Sequence, residues 1–312
     1  MEPSLIGMHF FVDSRDSPGI RLALELKPMT EAIYRRPGDY DLEHEGDDED
    51  VRALSRLVCA RQPRRVLELG AGSGRLAIPL ARLGAQKGFD VVGLEPAAEM
   101  RAGAEEKCSL EPADVQRRLS LEAGDMRTWM SMTPFDVIVC ACSTVAHLLT
   151  LEDQLAAWRS SFANLRKDGV LIVDVVMPPL VAYAESLQTP PRNLVELDLD
   201  TQDPLTGTRM LRYKTTRYLA HEQRARIRFL YDKFLSLPPN PAATHVERYV
   251  SDFESHVYFP RELQLLYLCA GFVVEAIYGD YRLRPMQEDS GQMIVVGRRP
   301  AVDSLPFRRH RR

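Results

Sequence analysis

The sequence predicts an α/β fold: a mostly parallel sheet with helices on both faces, interrupted late in the chain by an antiparallel insertion. Three observations predict it. Strand-like and helix-like segments alternate from residue 64 to residue 180. The strands among them are continuous apolar runs, as expected for strands buried on both faces. After Pro178-Pro179 the texture changes to longer runs of period two, separated by turn signals such as Asp203-Pro204 and Thr206-Gly207.

The elements follow in order. Residues 1–46 lack clean periodicity; Pro18-Gly19 and Pro37-Gly38 bracket a helix expected over 21–34, and the segment reads as an N-terminal lid. The acidic run 43–50 leads into Val51, Leu54, Leu57 and Val58, an amphipathic spacing whose acidic start suits the helix dipole. Val66–Leu69 is a short buried strand, and 73–83 is the helix after it. Strands follow at 90–94, 119–122, 136–140 and 170–176, with helices from about 97 and over 151–165. Runs at 194–200, 209–220 and 224–235 form the antiparallel insertion, which occupies 181–258. Pro260 then opens a helix ended by Gly271, and 272–279 and 292–298 are the last two strands. The expected domain is thus 47–180 together with 259–299, and 300–312 is a basic tail expected to be disordered.

Composition narrows the function. The chain has 312 residues, 45% hydrophobic and 27% charged, enough for a sizeable core. Lys and Arg total 40 against 44 Asp and Glu, too balanced for a protein that lives on phosphate contacts, so no nucleic-acid partner is expected. No apolar run approaches the roughly 20 residues of a membrane span, and 1–16 carry no basic leader, so a cytoplasmic location is expected. Five scattered cysteines suit a reducing compartment without disulfides. Cys140 and Cys142 lie two apart and nothing completes a zinc set, so no metal is expected; Cys142 is instead a candidate for the pocket lining.

The chemistry sits in VLELGAGSGRL, residues 66–76. Gly70, Gly72 and Gly74 between strand and helix allow a tight turn and close approach of a ligand to the backbone. The following helix start would offer free N–H groups to an anion. A plain structural turn needs fewer glycines and no Glu68. The dinucleotide fingerprint needs glycine at 75, where the chain has Arg75.

The segment ELGAGSG resembles the first motif of the Rossmann-like, S-adenosylmethionine-dependent methyltransferases of bacterial small-molecule type. Other landmarks fall in order: Glu95 after the second strand, Gly124-Asp125-Met126 after the third, 135–148 over the fourth, and KDGVLIVD (167–174) at the fifth. YDLEH (40–44) resembles a short motif that often opens such enzymes. The resemblance covers about 40–180 and resumes at 256–298. It implies a seven-stranded sheet whose last strand is antiparallel, an insertion that roofs the acceptor or pairs two chains as a homodimer, and S-adenosyl-L-methionine as cofactor with S-adenosyl-L-homocysteine as product. Glu95 would accept hydrogen bonds from both ribose hydroxyls, beside Pro96 and Met100. Asp125 would face the adenine amino group, with Met126 against the ring. Glu68 would orient the methionine ammonium with Gly70, Ala71, Gly72 and Gly74, near Cys140, Ala141 and Ser143. Tyr40 would close over the cofactor, and Arg75 is either a surface arginine or a carboxylate contact.

Methyl transfer from a sulfonium is an in-line displacement; the protein aligns the partners and excludes water. A base is needed when the acceptor must lose a proton. His147, after the fourth strand, is the candidate base, with packing as the competing role. Tyr34, Tyr213, Tyr218, Tyr231 and Tyr258 are candidates for the acceptor pocket. The acceptor would be nitrogen or oxygen of a small metabolite, in natural-product or amino-sugar-like metabolism. Two alternatives stay open: an S-adenosylmethionine-binding enzyme of another reaction type, such as a cyclase or decarboxylase, and a non-catalytic cofactor-binding protein.

Overall fold

The computed structural model describes residues 32–188, 195–235 and 244–301. The helix expected over 21–34 lies outside these residues except at its end, where Ala32–Arg35 form a 3-10 turn, and the expected basic tail lies outside them beyond residue 301.

Helices α1 (Pro37–Glu43) and α2 (Glu49–Ala60) precede the alternation. Pro37 therefore starts a helix, at the position where its missing N–H costs nothing, instead of closing one. Then come β1 (Arg65–Leu69), α3 (Ala77–Lys87), β2 (Asp90–Leu94), α4 (Ala98–Ser109), α5 (Ala113–Gln116), β3 (Leu119–Glu122), β4 (Phe135–Cys140), α6 (Leu151–Asn164) and β5 (Leu165–Val176). A short helix α7 (Leu180–Ser186) leads to β6 (Glu196–Gln202), β7 (Thr208–Leu219), β8 (Arg224–Leu235) and β9 (Thr244–His256). Helix α8 (Pro260–Cys269), β10 (Val273–Tyr278) and β11 (Gln292–Arg298) close the domain.

The main sheet has seven strands in the order β10-β11-β5-β4-β1-β2-β3. Its pairs are parallel from β5 through β3, while β11 runs antiparallel to both β5 and β10. Strand order reverses direction between β1 and β4, and ligands of open α/β sheets bind beyond the carboxyl ends at such a point. Side chains alternate between two cores: Leu67, Leu69 and Ile138 enter one with Trp158 and Tyr267, and Val66, Val137 and Val139 enter the other with Leu54 and Leu80. Helix α3 starts at Ala77, four residues later than expected, because Gly70, Gly72 and Gly74 hold φ of 71°, 55° and 84° and keep the chain out of right-handed helix.

Strands β6 to β9 form a separate antiparallel sheet. Registers such as Arg212↔Tyr231↔Tyr249 assign its faces. One face carries Met210, Arg212, Phe229, Tyr231 and Tyr249 and packs on Ile33, Tyr34, Tyr40 and Leu42. By alternation, Tyr213, Arg217, Arg226 and Arg228 point to the other face.

Candidate active site

Helix α1 is placed by its acids. Asp39 receives Lys233 Nζ at 2.6 Å and the Tyr249 hydroxyl at 3.0 Å, and Glu43 pairs with Arg212 at 2.9 Å, fixing the helix to the second sheet. Asp41 accepts from the Ser73 hydroxyl and from Lys107 at 2.6 Å, fixing it to the glycine turn and α4. Pro37 and Gly103 sit so close that a Cβ at Gly103 would come within 2.6 Å of the proline ring. Tyr40 is thereby held over the glycine turn.

Between these elements lies a cavity of about 560 Å³, within the range of small-molecule sites. Gly70, Gly72, Glu95, Pro96, Met100 and Met126 line one end; Tyr34, Tyr40, Cys142, Thr144, His147, Leu149 and Glu254 line the rest. A pocket of about 200 Å³ adjoins it through Gly70, Pro96, Met126 and His147 and adds Asp125, Arg127 and Leu148.

The glycine turn behaves differently from the anion cradle expected of it. The N–H groups of Gly70 and Ala71 both donate to the Leu94 carbonyl, Gly72 N–H donates to Glu95 Oε2 at 2.8 Å, and Gly74 N–H donates to the Ala71 carbonyl. These donors are spent within the protein, so the turn offers close approach and not phosphate binding. Glu95, 7% exposed, bridges the Gly72 and Ala97 amides through its two oxygens, each bond 2.8 Å. Burial pushes its carboxyl up, against the pull of those amides. Each oxygen keeps a lone pair for a ligand hydroxyl.

Glu68 is 3% exposed, and its Oε2 has no partner among the described residues. The sequence called for one, because an isolated buried acid is costly. Burial holds the carboxyl well above its ordinary range. An orphaned carboxyl beside a glycine turn is suited to a ligand ammonium. Arg75 is not a surface arginine: it pairs with buried Asp50 and donates to the Asp47 carbonyl. Asp125 reaches the smaller pocket but is ion-paired with Arg127, which holds its carboxyl below the usual range.

Several expected contacts are displaced. Cys140 (0% exposed), Ala141 (6%) and Ala71 (4%) are buried in the cores, and Gly74 packs on Ile78 and Ala104. Ser143 spends its hydroxyl on the Val176 amide. Their neighbours Cys142 and Thr144 reach the cavity instead. Tyr258 is in the main core, donating to the Val145 carbonyl, and Tyr218 stacks on Tyr183 with ring centroids 4.6 Å apart. Tyr34 alone of the five candidate tyrosines lines the cavity, and its hydroxyl is 2.8 Å from His147 Nε2.

Among the described residues no group of three or more His, Cys, Asp or Glu side chains could hold a metal, and no helix is long and apolar enough to cross a membrane.

Strand order, glycine turn and acidic strand end together match known proteins. Residues 66–169 match the methyltransferase domain family. That match spans about a third of the chain, over which the sequence is similar to methyltransferase domains. The Bacillus subtilis protein YqeM is 34% identical over 112 residues, which is 36% of this chain and 42% of that protein. The chain thus spans less than half the length of the curated relatives it matches. Two solved structures share the fold across most of both chains. The CcbJ methyltransferase from Streptomyces caelestis has TM-score 0.63 at 21% identity, covering 82% of this chain and 97% of that one. The sugar N-methyltransferase KedS8 from a Streptoalloteichus species has TM-score 0.62 at 18% identity, covering 94% and 100%.

The chain also carries a half-buried histidine. His44, at the end of α1, has its pKa lowered to about 4, chiefly by burial, with Arg75 adding to the shift. A histidine depressed below its unfolded value of about 6.5 contributes stability above that value, and the contribution is lost as pH falls towards about 4. Denaturant melts at several pH values should show a His44→Gln variant losing less stability than the wild type between these limits.

Proposed function

We propose that the chain is an enzyme that transfers a methyl group from S-adenosylmethionine to nitrogen or oxygen of a small molecule, releasing S-adenosylhomocysteine. The observation that carries this reading is one cavity lined both by a glycine turn with a strand-end carboxylate and by the Tyr34–His147 pair.

Glu95 accepts from the ribose hydroxyls with the lone pairs its amide partners leave. Met126 and Pro96 flank the adenine, and Leu148 backs the smaller pocket. Asp125 stays paired with Arg127 and offers the adenine amino group a remaining lone pair. A ligand ammonium would give Glu68 Oε2 the partner it lacks and ionise a carboxyl that burial alone keeps neutral. Gly70 lets the backbone pass against Thr144, where a Cβ would collide with the threonine methyl. Tyr40 closes this end from α1; burial keeps its hydroxyl protonated, far above the ordinary tyrosine value.

The bound cofactor supplies an activated methyl group and its own leaving group. The chain's residues align the acceptor, exclude water and accept a proton. His147 Nε2 is the acceptor for that proton, directly or through the Tyr34 hydroxyl at 2.8 Å. Phe253 of β9 lies 6.1 Å from the His147 ring, so the second sheet walls the acceptor end. The enclosed wall suits a small acceptor, and the fold shared with a sugar N-methyltransferase favours an amine-bearing, sugar-like molecule of natural-product metabolism.

Incubating the protein with deuterated-methyl S-adenosylmethionine and a panel of amino sugars, amines and phenols tests this. A product heavier by the labelled methyl group is expected from an amine. Turnover of the cofactor without methylated product would place the chain in another reaction class.

A further inference from the structure

The wall of the cavity that follows β4 is made by an unusual turn. Cys142 and Ser143 both adopt left-handed backbone, with φ of 52° and 57°, and neither is glycine. Consecutive residues of this kind persist only where their surroundings dictate the conformation. The surroundings here converge on one residue, Asp174 at the carboxyl end of β5. Its Oδ2 accepts from Cys142 N–H at 3.2 Å, and its backbone carbonyl accepts from Ser143 N–H at 3.0 Å. Ser143 Oγ returns along the same strand to accept from Val176 N–H at 3.0 Å. Tyr281, from the β10–β11 connection, donates its hydroxyl to Asp174 Oδ2 at 3.2 Å. Asp174 is 1% exposed, and its Oδ1 has no partner among the described residues. The turn runs straight into the 3-10 segment Thr144–His147.

We propose that Asp174 is a positioning residue of this site: it holds the Cys142–Ser143 turn in its left-handed form and so places Cys142, Thr144 and His147 on the cavity wall. The inference rests on the methyltransferase reading only in taking that wall to face the acceptor.

The anchor depends on charge. Burial raises the Asp174 carboxyl to about 7, and Asp50 of α2 adds to the rise. The Cys142 amide, the Tyr281 hydroxyl and Arg75 oppose it. The thiols of Cys140 and Cys142 complete the ionisable surroundings, and burial pushes that of Cys140 upward, leaving it neutral. Ionised, Asp174 accepts from Cys142 and Tyr281 as charge-assisted hydrogen bonds; protonated, it holds them more weakly. The turn therefore tightens as pH rises through about 7. Global stability moves the other way: a carboxyl raised above its unfolded value contributes fully below about pH 4, and the contribution is lost as pH rises through the folded value.

The test is hydrogen–deuterium exchange of the 141–148 segment, read by mass spectrometry on the full chain without cofactor or acceptor. It therefore fails or succeeds independently of the methyltransferase reading. Corrected for intrinsic rates, exchange at pH 8 should quicken more than about tenfold in Asp174→Ala, because the turn opens locally. Asp174→Asn keeps an oxygen that accepts from Cys142, so its rate should lie within about threefold of the wild type. In the wild type the segment should also be better protected at pH 8 than at pH 6, and Asp174→Asn should lose that difference. Unchanged exchange in the alanine variant overturns the proposal, as does an asparagine variant that exchanges as fast as alanine. If the alanine variant does not fold, the pH comparison decides: an asparagine variant that keeps the wild-type dependence overturns the proposal.

Discussion

Replacing Glu95 with alanine is expected to weaken binding of S-adenosylhomocysteine by more than about tenfold, since hydrogen bonds to a charged group contribute about 1.5–3 kcal/mol each. Two effects add. The ribose loses its acceptors, and the Gly72 and Ala97 amides lose the carboxylate that joins the glycine turn to α4. Two buried amides left without an acceptor raise the cost beyond the direct contacts. Calorimetry measures the change, and an unaltered dissociation constant would remove Glu95 from the ribose role. Thermal melts separate the two contributions: a variant that melts as the wild type does but binds weakly has lost ligand contacts alone.

The second large effect is expected on turnover. His147→Ala should lower kcat by about a hundredfold or more, the usual contribution of a positioned base. Binding of S-adenosylhomocysteine should change far less than turnover, because a base contributes chiefly in the transition state. Tyr34→Phe should fall between wild type and His147→Ala, since it removes the hydroxyl 2.8 Å from Nε2 but leaves the imidazole. Equal losses of turnover and affinity would instead mark His147 as a packing residue, which its ring contacts with Tyr34 and Phe253 also permit.

Much of this site was legible before any coordinates. The apolar runs of β1, β4 and β5 announced a buried parallel sheet, and the acid after β2 fell at its carboxyl end, where topology makes a crevice. Glu95, Gly70, Gly72, Met126, Tyr40 and His147 all reach the cavity. What the sequence hid has physical reasons. Cys142, a candidate for the pocket lining, does reach the cavity, but Thr144 stands where Cys140, Ala141 and Ser143 were expected because the chain leaves β4 through left-handed residues, and nothing in the pair Cys-Ser signals that conformation. Asp174 read as one more residue of a buried strand; only the coordinates reveal that it faces the turn after the neighbouring strand. Glu254 was hidden because its place follows from strand pairing: it lies opposite Arg226 and pairs with it at 2.6 Å, and register is a long-range property. Helix α7 is only seven residues long and follows two prolines, too short to show a period. The glycine turn kept its place but not its expected donors, since Leu94 and Glu95 had claimed them.

The central claim is that one cavity seats S-adenosylmethionine beside an acceptor. Calorimetry of the purified chain with S-adenosylmethionine and with S-adenosylhomocysteine tests it most directly. The account predicts one site per chain for either ligand, with a micromolar dissociation constant, and competition between the two. No heat from either ligand, alone or with candidate acceptors present, would contradict it.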